Sequence, residues 1–426
     1  MPRFIHAADI HLDSPLTGLA AYPDAPAERL RTATRDAFAN LVSVAIEEAV
    51  DFMVIAGDLY DGAWKDHNTG IYFCRQMGRL DKAGIPVYLL FGNHDAENAM
   101  TRKLELPANV HLFETRRPTT HLLPACHTAL HGRSFKDAAT TDNLAASYPP
   151  PVPGMFNIGV LHTALEGNAA HASYAPCSLD ELHAKGYQYW ALGHVHTYQV
   201  WRGAATIVFP GNLQGRHARE TGPHGAVLVT ADESGHCEVE RLLVDVLRWH
   251  ALDIDVTTCS DLSAAVRAIR QAMESEVERH GTALPMAMRI TLSGASPAHG
   301  ELFGREAQLR AENLAIAAAL APDCLWIEKV RVRTCPPDDG SALRLRADAL
   351  ADLDALLLAA ESDPDFLAAL RADLQPLAAK APIELSAMVE GFDAIQSTAD
   401  DGLAELVRSI RPALLAHLAG IDPTTD

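Results

Sequence analysis

Five short clusters of Asp, His and Asn carry the residue types that do metal chemistry. They are Asp9-Ile10-His11, Gly57-Asp58-Leu59-Tyr60-Asp61, Gly92-Asn93-His94-Asp95, the lone His162, and Gly193-His194-Val195-His196. Their donors are carboxylate and amide oxygens and imidazole nitrogens, with no thiolate. That set suits Mn²⁺, Fe or Zn²⁺ and argues against a structural Cys-zinc site. A carboxylate can span two cations about 3.5 Å apart, as two-metal hydrolysis requires. Imidazoles and an amide complete such sites without adding negative charge, which leaves room for an anionic phosphate. In an extended His-x-His turn the two rings point to opposite sides, so one motif can serve two metals. Each cluster alone reads equally well as a polar surface turn. Their weight comes from occurring together, each after an apolar run.

Those apolar runs are the elements that must position the clusters. Phe4 to Ala8, Phe52 to Ala56 and Pro86 to Phe91 read as strands, separated by helices over Ala27 to Val50 and His67 to Ala83. Alternation of this kind predicts βαβ units and a largely parallel sheet. Residues at the ends of such strands meet where loops converge. Later runs at Asn157 to Leu161, Tyr189 to Leu192, Thr206 to Phe209 and Ala226 to Val229 are closely spaced, which predicts a mixed or antiparallel part. From Leu247 to Cys335 the pattern is β (Ala251 to Val256), α (Ser260 to His280), β (Met286 to Leu292), α (Arg305 to Leu320), β (Leu325 to Val332). The run Pro336-Pro337-Asp338-Asp339-Gly340 then breaks the chain. The remainder is rich in Ala and Leu at helical spacing. We therefore expect a first domain over 1–246, a small α/β cap over 247–340 and a helical region over 341–426.

The five clusters, in this order, resemble the calcineurin-like metallophosphoesterase superfamily over about the first 215 residues. The opening Phe4-Ile5-His6-Ala7-Ala8-Asp9-Ile10-His11-Leu12-Asp13-Ser14-Pro15-Leu16 and the run Gly57 to Asp61 resemble its DNA-repair exonucleases of the SbcD and YhaO type. The resemblance implies an α/β fold, a four-layer α/β/β/α sandwich. It implies one metal held by Asp9, His11, Asp58 and His196, and a second by Asp58, Asn93, His162 and His194, most simply two Mn²⁺ ions. His94 then resembles the residue that stabilises the phosphorane and helps protonate the leaving alkoxide. Asp95 is expected either to orient the His94 ring or to serve its turn as a plain carboxylate. The loop Phe209 to Arg216 is also family-like, so Arg216 or Arg219 is expected on the nucleic-acid backbone; a solvated basic turn is the bland alternative. The resemblance further implies DNA as substrate, an SbcC-like coiled-coil ATPase docking on the helical tail, and a homodimer. Two rivals stay open: a phosphodiesterase or phosphatase of small molecules, and a scaffold that has lost its metals.

Departures from neighbouring subgroups narrow the reading. Asp61 stands where a purple phosphatase would place its tyrosine ligand. Gly57-Asp58-Leu59-Tyr60-Asp61-Gly62-Ala63 also lacks the substrate arginine of the Ser/Thr phosphatases. The 35 basic and 55 acidic residues give a net charge of −20, so bulk charge does not attract nucleic acid. Seven scattered cysteines without a CxxC pair read as reduced thiols. With no apolar run of membrane-spanning length and no signal-type start, a cytoplasmic location is expected. His6, His67, His111, His121, His127, His131 and Trp190 are expected in surface or core roles.

Overall fold

The computed structural model describes residues 1–16, 27–61, 67–97, 105–137, 140–165, 175–337 and 349–380, with 402–404, 406–408, 410–411 and 414. It divides into two compact units. The first comprises Met1–His250 with Ala283–Ala287, and the second comprises Ala251–Thr282 with Met288–Asp426.

The first unit begins β1 (Arg3–Ala7), α1 (Ala27–Glu47), β2 (Phe52–Ala56), α2 (His67–Lys82), β3 (Val87–Leu90), α3 (Asn93–Glu97) and β4 (Val110–Leu112). It continues with β5 (Thr119–Leu123), β6 (Thr128–Gly132), β7 (Phe156–His162), α4 (Leu179–Ala184) and β8 (Tyr189–Gly193). It closes with β9 (Gln199–Arg202), β10 (Thr206–Phe209), β11 (Gly225–Ala231) and β12 (Cys237–Leu243). Two six-stranded sheets result, in the orders β12-β11-β1-β2-β3-β4 and β5-β6-β7-β8-β10-β9. Strands β1 to β4 run parallel, while β11 and β12 add antiparallel strands to the edge beside β1. In the second sheet β6, β7, β8 and β10 are parallel and the outer strands antiparallel.

Side-chain alternation along the strands makes the layers. Phe4, Phe52, Val54 and Leu90 face one way and join Leu130, Ile158, Val160 and Val208 in a core between the two sheets. The intervening residues Ile5, Met53, Ile55, Val87 and Leu89 face the other way, against Phe38, Leu41 and Val42 of α1 and Phe73 and Met77 of α2. On the far side, Leu161, Trp190, Leu192 and Ile207 pack with Leu182 of α4. The order is thus helix, sheet, sheet, helix, the four-layer sandwich expected. Strands buried on both faces need apolar residues at every position, which explains their continuous runs.

The second unit holds β14 (Met286–Ala295) and β15 (Leu325–Cys335), with β13 (Arg248–Asp255) as the third strand in the order β13-β14-β15. Helices α5 (Leu262–His280), α6 (His299–Leu302) and α7 (Glu306–Leu320) accompany them. Asp261 caps α5, its side chain accepting from Ala264 N. Ile269, Met273, Ile290, Leu309 and Ile327 are buried. After 348 come α8 (Ala349–Ala360) and α9 (Pro364–Lys380). There Leu367, Leu403 and Val407 form a small cluster of their own. Among the described residues no helix is long and apolar enough to cross a membrane.

Candidate metal centre

All five clusters sit at the carboxyl ends of β1, β2, β3, β7 and β8 or in the turns that follow. The turns are tightly stitched. Asp9 N donates to Gly57 O at 3.0 Å, His11 N to Asp58 O at 3.0 Å and Leu12 N to Leu59 O at 2.9 Å. His194 N donates to both Asp9 carboxylate oxygens at 3.0 Å. Four residues of the expected ligand set have positive φ: Asp9 at 50°, His11 at 46°, Asp58 at 52° and His194 at 103°. Such conformations cost about 1–3 kcal/mol each and persist only where the surroundings enforce them. Two glycines before ligands are required by space. A Cβ on Gly92 would overlap Asp58 Oδ1 and crowd His162, and one on Gly193 would overlap Ala56 O.

In these turns three sets of possible ligands each lie within 4.8 Å: Asp9, His11 and His196; Asp58, His162 and His194; and His11, Asp58 and His94. The first two correspond to the two metal sites expected from sequence, and Asn93 joins the second through Oδ1, 2.9 Å from His162 Nε2. Asp9, His11, Asp58 and His162 are almost fully buried. Hydrogen positions follow from the partners. His162 Nδ1 lies 2.9 Å from Ala56 O, which can only accept, so Nδ1 carries the hydrogen. In the neutral ring Nε2 is then bare, yet it faces Asn93 Oδ1 and, at 3.4 Å, Asp58 Oδ2. Likewise His196 Nδ1 donates to Glu220 Oε1 at 2.7 Å, which leaves its Nε2 bare. That nitrogen lies 3.2 Å from His11 Nε2, and His11 turns its Nδ1 toward Asp61 at 3.5 Å. With neutral rings these acceptors face acceptors and repel, unless a metal ion or a proton stands among them. Asp58 Oδ2 lies between the two places, 3.4 Å from His162 Nε2 and 4.0 Å from His11 Nε2, so the residues fit a pair of divalent metals.

The titration behaviour agrees. Burial pushes the Asp9 carboxyl up. Burial opposes charge on the His162 ring, but the Asp58 carboxylate outweighs it and the pKa is pushed up to about 9. Burial pushes the neighbouring His11 ring the other way, down to about 3, so positive charge concentrates on His162 beside Asp58.

Around this centre the structure assigns contacts that the sequence did not disclose. Asp95 is buried and accepts from the backbone N–H groups of Leu59, Tyr60 and Gly92. Burial and the Asp58 charge push its carboxyl up to about 7. Its carboxylate therefore ties the turn after β2 to the turn after β3, and the carboxylate beside the His94 ring is that of Asp61, 3.6 Å from Nδ1. Asp61 stands three residues after Asp58, a spacing open to inspection from the start. Glu220 had no such signal. It accepts from His196, from Asn212 Nδ2 at 3.0 Å and from Arg216 N at 2.7 Å. Burial raises its carboxyl, but those bonds and the Arg216 charge hold it well below the usual range. Arg216 is largely buried, with NH1 3.7 Å from Asp61 and NH2 3.5 Å from Glu220; it braces the site from inside. Arg219 is exposed. Trp190 is core, donating Nε1–H to Leu182 O at 3.0 Å.

Known proteins match the same residues. A model described as calcineurin-like phosphoesterase matches residues 2–198, and one described as the middle domain of metallophosphoesterase YhaO matches 249–335. The uncharacterized metallophosphoesterase YhaO of Bacillus subtilis is 34% identical over 298 residues, covering 69% of this chain and 72% of that protein. The DNA double-strand break repair protein Mre11 of Sulfurisphaera tokodaii is 24% identical over 260 residues, covering 57% and 64%. A crystal structure of a dimetal phosphatase from Danio rerio is 13% identical with a TM-score of 0.35, covering 55% of this chain and 94% of that one. With paired donor sets in the turns of an α/β/β/α sandwich and this match to YhaO along two thirds of its length, the chain belongs to the calcineurin-like metallophosphoesterases, hydrolases of phosphoester bonds.

Proposed function

We propose that the chain is a two-metal nuclease that hydrolyses DNA phosphodiesters, acting on ends and hairpins in repair or recombination. The observation that carries this reading is the pair of adjacent donor sets, Asp9, His11 and His196 beside Asp58, His162 and His194, with Asp58 Oδ2 4.0 Å from His11 Nε2 and 3.4 Å from His162 Nε2. When bound, a divalent pair, most simply Mn²⁺, would activate water and neutralise the phosphate. Asp9, His11, Asp58 and His196 would hold one ion and Asp58, Asn93, His162 and His194 the other. His94, partly exposed beside them, is placed to donate a proton to the leaving oxygen. Asp61 would keep the donor nitrogen of that ring turned outward by accepting from Nδ1. Arg216 would balance the Asp61 and Glu220 charges, so that neither competes with substrate.

The choice of DNA draws support from the Mre11 relatives, named as double-strand break repair proteins. In this reading 247–340 is a cap that helps hold the duplex and 341–426 docks an SbcC-like ATPase. Exposed Leu356, Phe366 and Ile410 support a docking role for the tail. A homodimer and a cytoplasmic location complete the proposal; the seven free thiols suit the latter. The deciding assay compares linear duplex DNA, hairpin DNA and bis-p-nitrophenyl phosphate with and without Mn²⁺. Metal-dependent cleavage of the DNA is expected. Turnover of the small ester alone would replace this reading with a small-molecule phosphodiesterase.

A further inference from the structure

Beside the metal centre lies a cavity of about 330 Å³ that the hydrolytic chemistry does not use. His196 and Glu220 form part of its wall, so it adjoins the outer side of one metal-ligand pair. Tyr198, Arg219, His224 and Arg241 are among its other lining residues. Its charge is settled by what Glu220 already does. That carboxylate faces His196 and Arg216, so its charge is answered within the protein. Arg219 and Arg241 have no carboxylate in ion-pair reach among the described residues. In a chain of net charge −20, two unanswered guanidinium groups in one cavity beside a phosphoester site are not background.

Arg241 is also preset. Its guanidinium lies over the Tyr198 ring, 4.5 Å from the centroid, and NH2 donates to Pro223 O at 2.8 Å. Stacking and that single bond fix the plane, while its other N–H groups remain available to a ligand. A planar fork held in this way suits a phosphate's paired oxygens. The volume is at the small end of ligand cavities, about 300–1,000 Å³. That is room for one phosphate-bearing unit and too little for a duplex.

We propose that this cavity is a subsite for the phosphate next to the scissile one in a nucleic-acid strand, gripped by Arg219 and Arg241. The proposal rests on the nucleic-acid reading above, and its test is separable from it. Thymidine 3′,5′-bisphosphate carries a second phosphate, and thymidine 5′-monophosphate does not. Calorimetry on the Mn²⁺-loaded full chain should give the bisphosphate an advantage of about tenfold or more. Arg219→Ala and Arg241→Ala, checked by circular dichroism, should each move that ratio toward one. Arg219 is exposed, so its variant keeps the test valid even where Arg241→Ala fails to fold. A wild-type ratio near one, or a ratio unchanged in Arg219→Ala, overturns the subsite. A chain that discriminates between the two ligands but cleaves no oligonucleotide sinks the nuclease reading and leaves the subsite standing.

Discussion

Glu220→Ala is the substitution whose consequences can be worked furthest. The carboxylate is 9% exposed and accepts four hydrogen bonds: from His196 Nδ1–H at 2.7 Å, Asn212 Nδ2–H at 3.0 Å, Arg216 N–H at 2.7 Å and, more weakly, Arg216 NH2 at 3.5 Å. A buried donor left without an acceptor costs about 1–3 kcal/mol. Water entering the vacated space recovers part of this, so a stability loss of about 3 kcal/mol is expected. The metal should suffer separately. Without the acceptor, His196 is free to move its hydrogen to Nε2 and to rotate, and losing such a partner typically costs 10–100-fold in metal affinity. Glu220→Gln keeps an acceptor for His196 and should recover most of the affinity. Titration of apo protein with Mn²⁺, read by calorimetry and by bound metal after gel filtration, measures the effect apart from activity. If Glu220→Ala lowers the melting temperature but binds two equivalents with wild-type affinity, the carboxylate is a structural brace and the reasoning about His196 fails.

Other substitutions probe different parts of the site. His94→Ala should retain both metals while hydrolysis falls about 10²-fold or more, with a smaller loss for a p-nitrophenyl leaving group than for DNA; equal losses would remove the proton-donor role. Gly193→Ala should displace Ala56 O, the acceptor that orients His162. Overpacking of this kind costs about 1–3 kcal/mol, so a stable, fully metal-loaded variant would contradict the close approach. Burial holds the His6 pKa down to about 3 from its ordinary 6.5, against a bond to Leu192 O. The unfolded chain therefore takes up this proton first. The stability is fully present above about pH 6.5 and is lost as pH falls toward 3, by at most about 1.4 kcal/mol per pH unit. Urea titrations of wild type and His6→Gln should differ in slope over that range, and parallel curves would refute the assignment.

The candidate ligands were legible in sequence because each stands at the end of a strand buried on both faces. In β2, β3 and β8 an apolar run stopped by Gly and then Asp, Asn or His marks both the strand and its useful end, and in β1 and β7 the run passes straight into Asp9 and His162. The helices α1 and α2 were equally plain from their apolar spacing. Strands that break this pattern were not seen. β12 carries Glu238, Glu240 and Arg241 along the sheet edge, and β4 has three residues. β6 buries His131, which reads as polar until its partners Thr120 and Asn157 are known. The same limit explains the site. Asp95 lies next to His94 in sequence, but the turn directs its carboxylate to backbone amides and brings in Asp61 from another loop. Glu220, twenty-four residues after His196, reaches it only because the loop after β10 folds back. Local pattern identifies what ends a strand, whereas contacts between loops depend on the whole fold.

In the proposed centre Asp58 joins two metal ions between the turns after β1, β2, β3, β7 and β8. Elemental analysis of wild type and Asp58→Asn, each saturated with Mn²⁺ and freed of excess, tests it most directly. Two ions per chain are expected for wild type, with loss of both metal binding and phosphodiester hydrolysis in Asp58→Asn. Wild type with one ion or none, or Asp58→Asn with two ions and near-normal turnover, would contradict it.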